Sequence, residues 1–218
     1  MYSPLLLSIL SQKYNFHFTY LGTGCIFEYD SSHPQPLVEE EEKQSGKLVY
    51  PPTDGFTEND KPNFDGSSYS IVKGFTDRMV HHLPILNLRI RMPITDSKNS
   101  RNFITKITTY QKICSLPNSM SVLPTLLPLV FTMMKDRVVG TMNLVNPGVI
   151  THNRILNLYR EYVDSTHIWE NFSILEQDKV LDARRSNNYL TTTRLEELFP
   201  EVPSIEEAVM SSLKKYKS

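Results

Sequence analysis

Three stretches decide how this chain folds: FHFTYLGTGC (residues 16–25), SSYSIVK (67–73) and ILNLRIRMPI (85–94). The first is aromatic and β-branched, reads as a strand over 16–22, and is ended by Gly22-Thr23-Gly24. The third alternates Leu86, Leu88, Ile90 and Met92 on one side, the period of a strand, and Pro93 closes it. Between them residues 67–82 read as a helix, with Ser67 or Asp65 to cap its start and Pro84 beyond its end. Working outward, the pattern predicts a helix over 5–14 and one over 100–113, where Phe103, Ile104 and Ile107 fall at helical spacing. It continues with an apolar helix at 123–135, a strand at 140–148 and a helix at 151–163. Two short helices follow at 193–199 and 204–214, the last opened by a capping box from Ser204 to Glu207. Strands alternating with helices predict an α/β fold with a parallel sheet. Residues 31–64, rich in proline and carrying the acidic run Glu39–Glu42, read as a long surface loop with a solvated acidic face.

Composition narrows the function classes. Against 24 Asp+Glu the chain has 23 Lys+Arg, so no excess of positive charge follows a phosphate backbone and a nucleic-acid binder is disfavoured. No apolar run is long enough to span a bilayer, and MYSPLLLSIL lacks the basic start of a signal peptide. Two cysteines, Cys25 and Cys114, give no disulfide framework and fit a reducing compartment, so a cytoplasmic protein is expected. His81, His82 and His152 lack metal-ligand spacing, so no metal is expected. Trp169 reads as packing.

Tyr69 and Lys73 lie four apart on one helix face, where a phenol beside an ammonium suits protonation of a carbonyl under reduction. The same spacing also occurs in ordinary helices. Upstream, the turn after the first strand offers the Thr23 hydroxyl to a substrate oxygen and the Cys25 thiol for proton transfer; a small buried thiol is the alternative.

The stretches TGCIFEYD (23–30), PNFDGSSYSIVK (62–73), LRIRMPI (88–94), SRNFITKI (100–107), PNSMSVL (117–123), NPGVITHNRIL (146–156) and RSNN (185–188) together carry a resemblance. In this order they resemble the nucleotide-4-keto-6-deoxyglucose 3,5-epimerase/4-reductases of the extended short-chain dehydrogenase/reductase superfamily. The resemblance implies an incomplete Rossmann-like parallel sheet, with first strands and glycine loop missing, plus a small C-terminal α/β substrate-binding region. It places a cofactor-binding half at 1–95 and a nucleotide-sugar-binding region at 96–218, with the strand near 140–146 returning to the main sheet. It implies NADPH, with NADH as the alternative, and a nucleotide-sugar substrate. By the same resemblance Thr23, Tyr69 and Lys73 form the reductase triad, and Cys25 and Lys106 form the epimerase acid/base pair. Arg91, Met92 and Pro93 join Tyr69 and Lys73 at the cofactor. Asn102, Arg185, Asn187 and Asn188 contact the nucleotide-sugar. Lys106 as a solvated helix lysine and Arg185 as a surface arginine are the bland alternatives.

The sequence departs from that family's pattern in three places. No glycine precedes Gly22, so the G-x-x-G-x-x-G loop that seats a dinucleotide pyrophosphate is missing, and Phe27 stands where a third glycine would follow Gly22 and Gly24. Pro124 replaces an acidic residue, and an acidic insertion occupies 38–58. A sheet without its first strands leaves 16–22 with an open edge and an uncovered apolar face. The expected partners are therefore a separate N-terminal chain or a second copy of this one. The competing expectations are a non-catalytic nucleotide-sugar-binding or regulatory remnant, and a product without function.

Overall fold

The computed structural model describes residues 2–36 and 55–216. The acidic run Glu39–Glu42 and most of the insertion lie outside them. Helix α1 (Tyr2–Tyr14) leads to β1 (Thr19–Thr23). Helix α2 (Ser68–Val80) then crosses to β2 (Leu86–Ile90). After α3 (Phe103–Ile107) and β3 (Lys112–Ile113), helix α4 (Leu123–Lys135) leads to β4 (Gly140–Asn143). The chain closes with α5 (His152–Tyr162), β5 (Glu170–Asn171), α6 (Ile174–Asp178), α7 (Thr193–Leu198) and α8 (Ile205–Lys215).

The main sheet has the order β1-β2-β4, all parallel, with Thr19 opposite Leu86, Thr23 opposite Ile90 and Leu86 opposite Gly140. β1 is an outer strand among the described residues, and Leu21 on it is 54% exposed. Alternation in β2 sorts its side chains. Leu86 and Leu88 pack with Leu126, Val130 and Met133 of α4, with Met142 of β4, and with Leu144. Asn87 and Arg89 turn to the opposite face, where both meet the Asp77 carboxylate of α2. The Arg89–Asp77 pair is closed to solvent at 2.7 Å and bidentate, the geometry that offsets the cost of burying both charges. Arg89 also donates to Thr57 O (3.1 Å), so one side chain ties the returning loop to the sheet.

Caps explain several boundaries. Ser67 caps α2 by accepting from Ser70 N–H, Thr151 caps α5, and the Ser204–Glu207 box opens α8. One sequence expectation is corrected: 100–113 is not one helix. Helix α3 stops at Ile107, where Thr108 and Thr109 return their hydroxyls to the carbonyls of Ile104 and Lys106, and Lys112–Ile113 pairs with Glu170–Asn171 instead. The β2 strand also ends earlier than expected, because Met92 takes φ +38°, which no strand accommodates. A second core, including Ile94, Ile104, Val122, Ile155 and Leu213, fills the region beyond the sheet.

Candidate active site

The carboxyl end of β1 builds the site. The Gly24 N–H extends the ladder to Ile90 O (3.0 Å), and the Cys25 N–H turns back onto Thr23 Oγ1 (3.1 Å). A Cβ on Gly24 would stand 2.5 Å from Leu190 Cδ1 and 2.9 Å from Arg91 Cγ, so the turn admits only glycine. Arg91 is the reason for the crowding. All five of its N–H donors are used: on Ser119 O (3.2 Å), Gly24 O (3.0 Å), Ser186 Oγ (2.9 Å), Asn118 Oδ1 (2.6 Å) and Ser186 O (3.0 Å). None of these acceptors is a carboxylate.

Beyond Cys25 opens a cavity of about 680 Å³. Cys25, Tyr69 and Lys106 line it, brought together from β1, α2 and α3. Met92, Pro93, Arg185 and Asn187 also reach its wall. Five cations, Arg101, Lys106, Lys112, Arg184 and Arg185, face the space, and no Asp or Glu among the described residues lines it. Arg184 is tied to Glu28 by an ion pair. Such a wall attracts a multiply charged anion. Tyr69 is 53% exposed, and the Lys73 ammonium sits 6.0 Å from the centre of its ring while donating to Tyr20 OH (3.0 Å).

The other expected residues are placed elsewhere. Thr23 is buried under the turn, and its oxygen is used by the Cys25 amide. Arg91 is enclosed behind Cys25 with every donor taken. Asn102 caps α3, accepting from Ile104 N–H and donating to Thr95 O and Ser97 O. Asn188 is buried, with its amide nitrogen on Gly24 O, Phe27 O and Ser186 Oγ. These side chains shape the cavity from behind.

Several wall residues escaped the sequence reading. Arg101 and Lys112 lie in the segment 100–113 read as one long helix, Cys114 directly follows it, and burial with the nearby Asp178 pushes the Cys114 thiol up. His152, at the start of α5, also lines the cavity, and burial with the nearby Arg91 cation pushes it down to about 4. Among the described residues no group of three or more His, Cys, Asp or Glu side chains could hold a metal, and no helix is long and apolar enough to cross a membrane.

No family model matches the chain. The mimivirus protein L780 is 48% identical over 219 residues, covering all of this chain and 70% of that protein. The crystal structure of the L780 UDP-rhamnose synthase superposes with a TM-score of 0.86 at 47% identity, over 99% of this chain and 70% of that one. The chain belongs to the UDP-rhamnose synthase family. Another relative is a bifunctional dTDP-4-dehydrorhamnose 3,5-epimerase/reductase from Arabidopsis thaliana, 45% identical over 191 residues, which are 87% of this chain and 58% of that protein. The chain therefore spans less than the full length of these relatives. The dTDP-4-dehydrorhamnose reductase of Bacillus anthracis, solved with NADP, shares the fold at a TM-score of 0.69 and 16% identity, over 95% of this chain and 68% of that one. The parallel sheet is thus Rossmann-like, with the cavity opening at its carboxyl end.

Proposed function

We propose that the chain carries the epimerase/reductase site for a nucleotide-4-keto-6-deoxyglucose: 3,5-epimerisation, then NADPH-dependent 4-keto reduction to nucleotide-L-rhamnose. The observation that carries this reading is the meeting of Cys25, Tyr69 and Lys106 around one cationic cavity that no Asp or Glu among the described residues lines. The cations hold the diphosphate, with Arg185 suited by its planar guanidinium. The C4 ketone acidifies the hydrogens at C3 and C5. Of Cys25 and Lys106, one removes such a proton and the other returns one to the opposite face, with solvent resetting both. Tyr69 protonates the C4 oxygen, and Lys73 holds its ammonium beside the phenol. Thr23 and Arg91 act on the site through the turn that they hold.

When bound, the cofactor supplies the hydride. Tyr69 and Lys73 fit its nicotinamide end; NADH is the alternative to NADPH. The described residues offer no glycine-rich loop to its pyrophosphate, and we assign that seat to polypeptide outside these 218 residues. The two free cysteines fit a cytoplasmic setting.

The test separates the two half-reactions. With the 4-keto sugar nucleotide in D2O and no nicotinamide, the chain is expected to place deuterium at C3 and C5, read by NMR. Absence of label would overturn the epimerase reading. Tight binding of the sugar nucleotide without label would favour a binding module instead.

A further inference from the structure

His152 is the one histidine in the cavity wall among the described residues, and the mechanism above gives it no task. It opens α5 directly after the Thr151 cap, and its ring packs on Phe103 at 5.3 Å between centres. Its Nδ1 is shut off from solvent and meets no hydrogen-bond partner. A buried imidazole nitrogen without a partner costs roughly 1–3 kcal/mol. Among the described residues no hydrogen bond to Nδ1 fixes the ring's tautomer.

We infer that His152 is a substrate-binding residue whose imidazole hydrogen-bonds an uncharged oxygen of the hexose. The inference rests on the nucleotide-sugar reading and deepens it. Three features point to the sugar rather than the diphosphate. First, Arg101, Lys112, Arg184 and Arg185 already supply the cavity with cations suited to phosphate. Second, the half-buried ring is pushed down to about 4 by desolvation and the Arg91 cation and stays neutral, and a neutral imidazole offers one N–H donor and one acceptor, the complement of a hydroxyl. Third, His152 lines the same cavity as Cys25 and Lys106, the residues assigned to the hexose.

The test compares two probes on the intact chain by calorimetry: UDP, and UDP-rhamnose as the stable product. His152→Phe is expected to leave UDP affinity within about twofold and to weaken UDP-rhamnose about tenfold, the value of one lost hydrogen bond. His152→Gln is expected to regain part of that loss. In the unmodified protein, the ring nitrogen resonances of His152 are expected to move with UDP-rhamnose and to stay fixed with UDP. That readout holds even if the Phe variant fails to fold. Unchanged UDP-rhamnose affinity in His152→Phe, or ring resonances that ignore the sugar, would overturn the inference alone. Failure of the unmodified chain to bind either probe would overturn the nucleotide-sugar reading with it.

Discussion

Replacing Arg91 with methionine tests whether one buried guanidinium holds the turn at Gly24 and Cys25. Methionine keeps much of the volume and removes all five donors. Three of the acceptors keep other bonds: Gly24 O and Ser186 Oγ retain the Asn188 amide at 3.0 Å each, and Asn118 Oδ1 retains the Asn188 N–H at 3.1 Å. The carbonyls of Ser119 and Ser186 have no other bond among the described residues. Two orphaned buried carbonyls cost roughly 2–6 kcal/mol. Part of this is recovered because a guanidinium no longer has to be desolvated. A net loss of about 3 kcal/mol lowers the midpoint of thermal unfolding by roughly 6–12 °C in a chain of this size. Scanning calorimetry measures it. Arg91→Lys, with three donors for five acceptors, should fall between the two. A drop of under about 3 °C for Arg91→Met would show that the bonds drawn here do not constrain the turn.

Other predictions address the site and its support. Cys25→Ala should abolish deuterium exchange at C3 and C5. In an enzyme completed with its cofactor-binding half, Tyr69→Phe should spare exchange and stop reduction; exchange by Cys25→Ala at the unmodified rate would remove the thiol from the mechanism. Asp77→Ala leaves the closed Arg89 cation unpaired and should cost about 3–5 kcal/mol in urea unfolding. For His152 the folded ring is held near 4 against 6.5 when unfolded. Between those values the unfolded chain binds the extra proton, so stability rises with pH through this window and falls on acidification, by at most about 3 kcal/mol. His152→Gln should erase that share of the slope, measured by urea melts from pH 4 to pH 7.

Much of this was legible where chemistry is local. The period of two in β2, the Ser67 cap and the Ser204–Glu207 box all act within a few residues, and the structure contains each of them. Asn102 before Phe103 carries the same capping signal, and the structure sets it at that cap. The segment 100–113 misled because its apolar spacing is helical while its fate is set by pairing with Glu170–Asn171, nearly sixty residues on. Arg91 was least readable. A cation following a strand in such a fold suggests a ligand, but its acceptors come from the turn at Gly24, from Asn118 and Ser119, and from Ser186, 95 positions away. Distances of that kind leave no trace in periodicity. His152 was hidden for the same reason, since only folding sets it in one wall with Cys25 and Lys106.

The position of β1 bears on how the molecule associates. Among the described residues its outer side presents main-chain amides and carbonyls in a row, with Leu21 uncovered on the same strand. The same five residues end at Thr23. Any polypeptide that lays a parallel strand along this margin would grip the threonine whose oxygen accepts from the Cys25 amide. Assembly would then bear on the turn that carries Cys25 to the cavity, and order at one rim of the sheet would be felt in its wall.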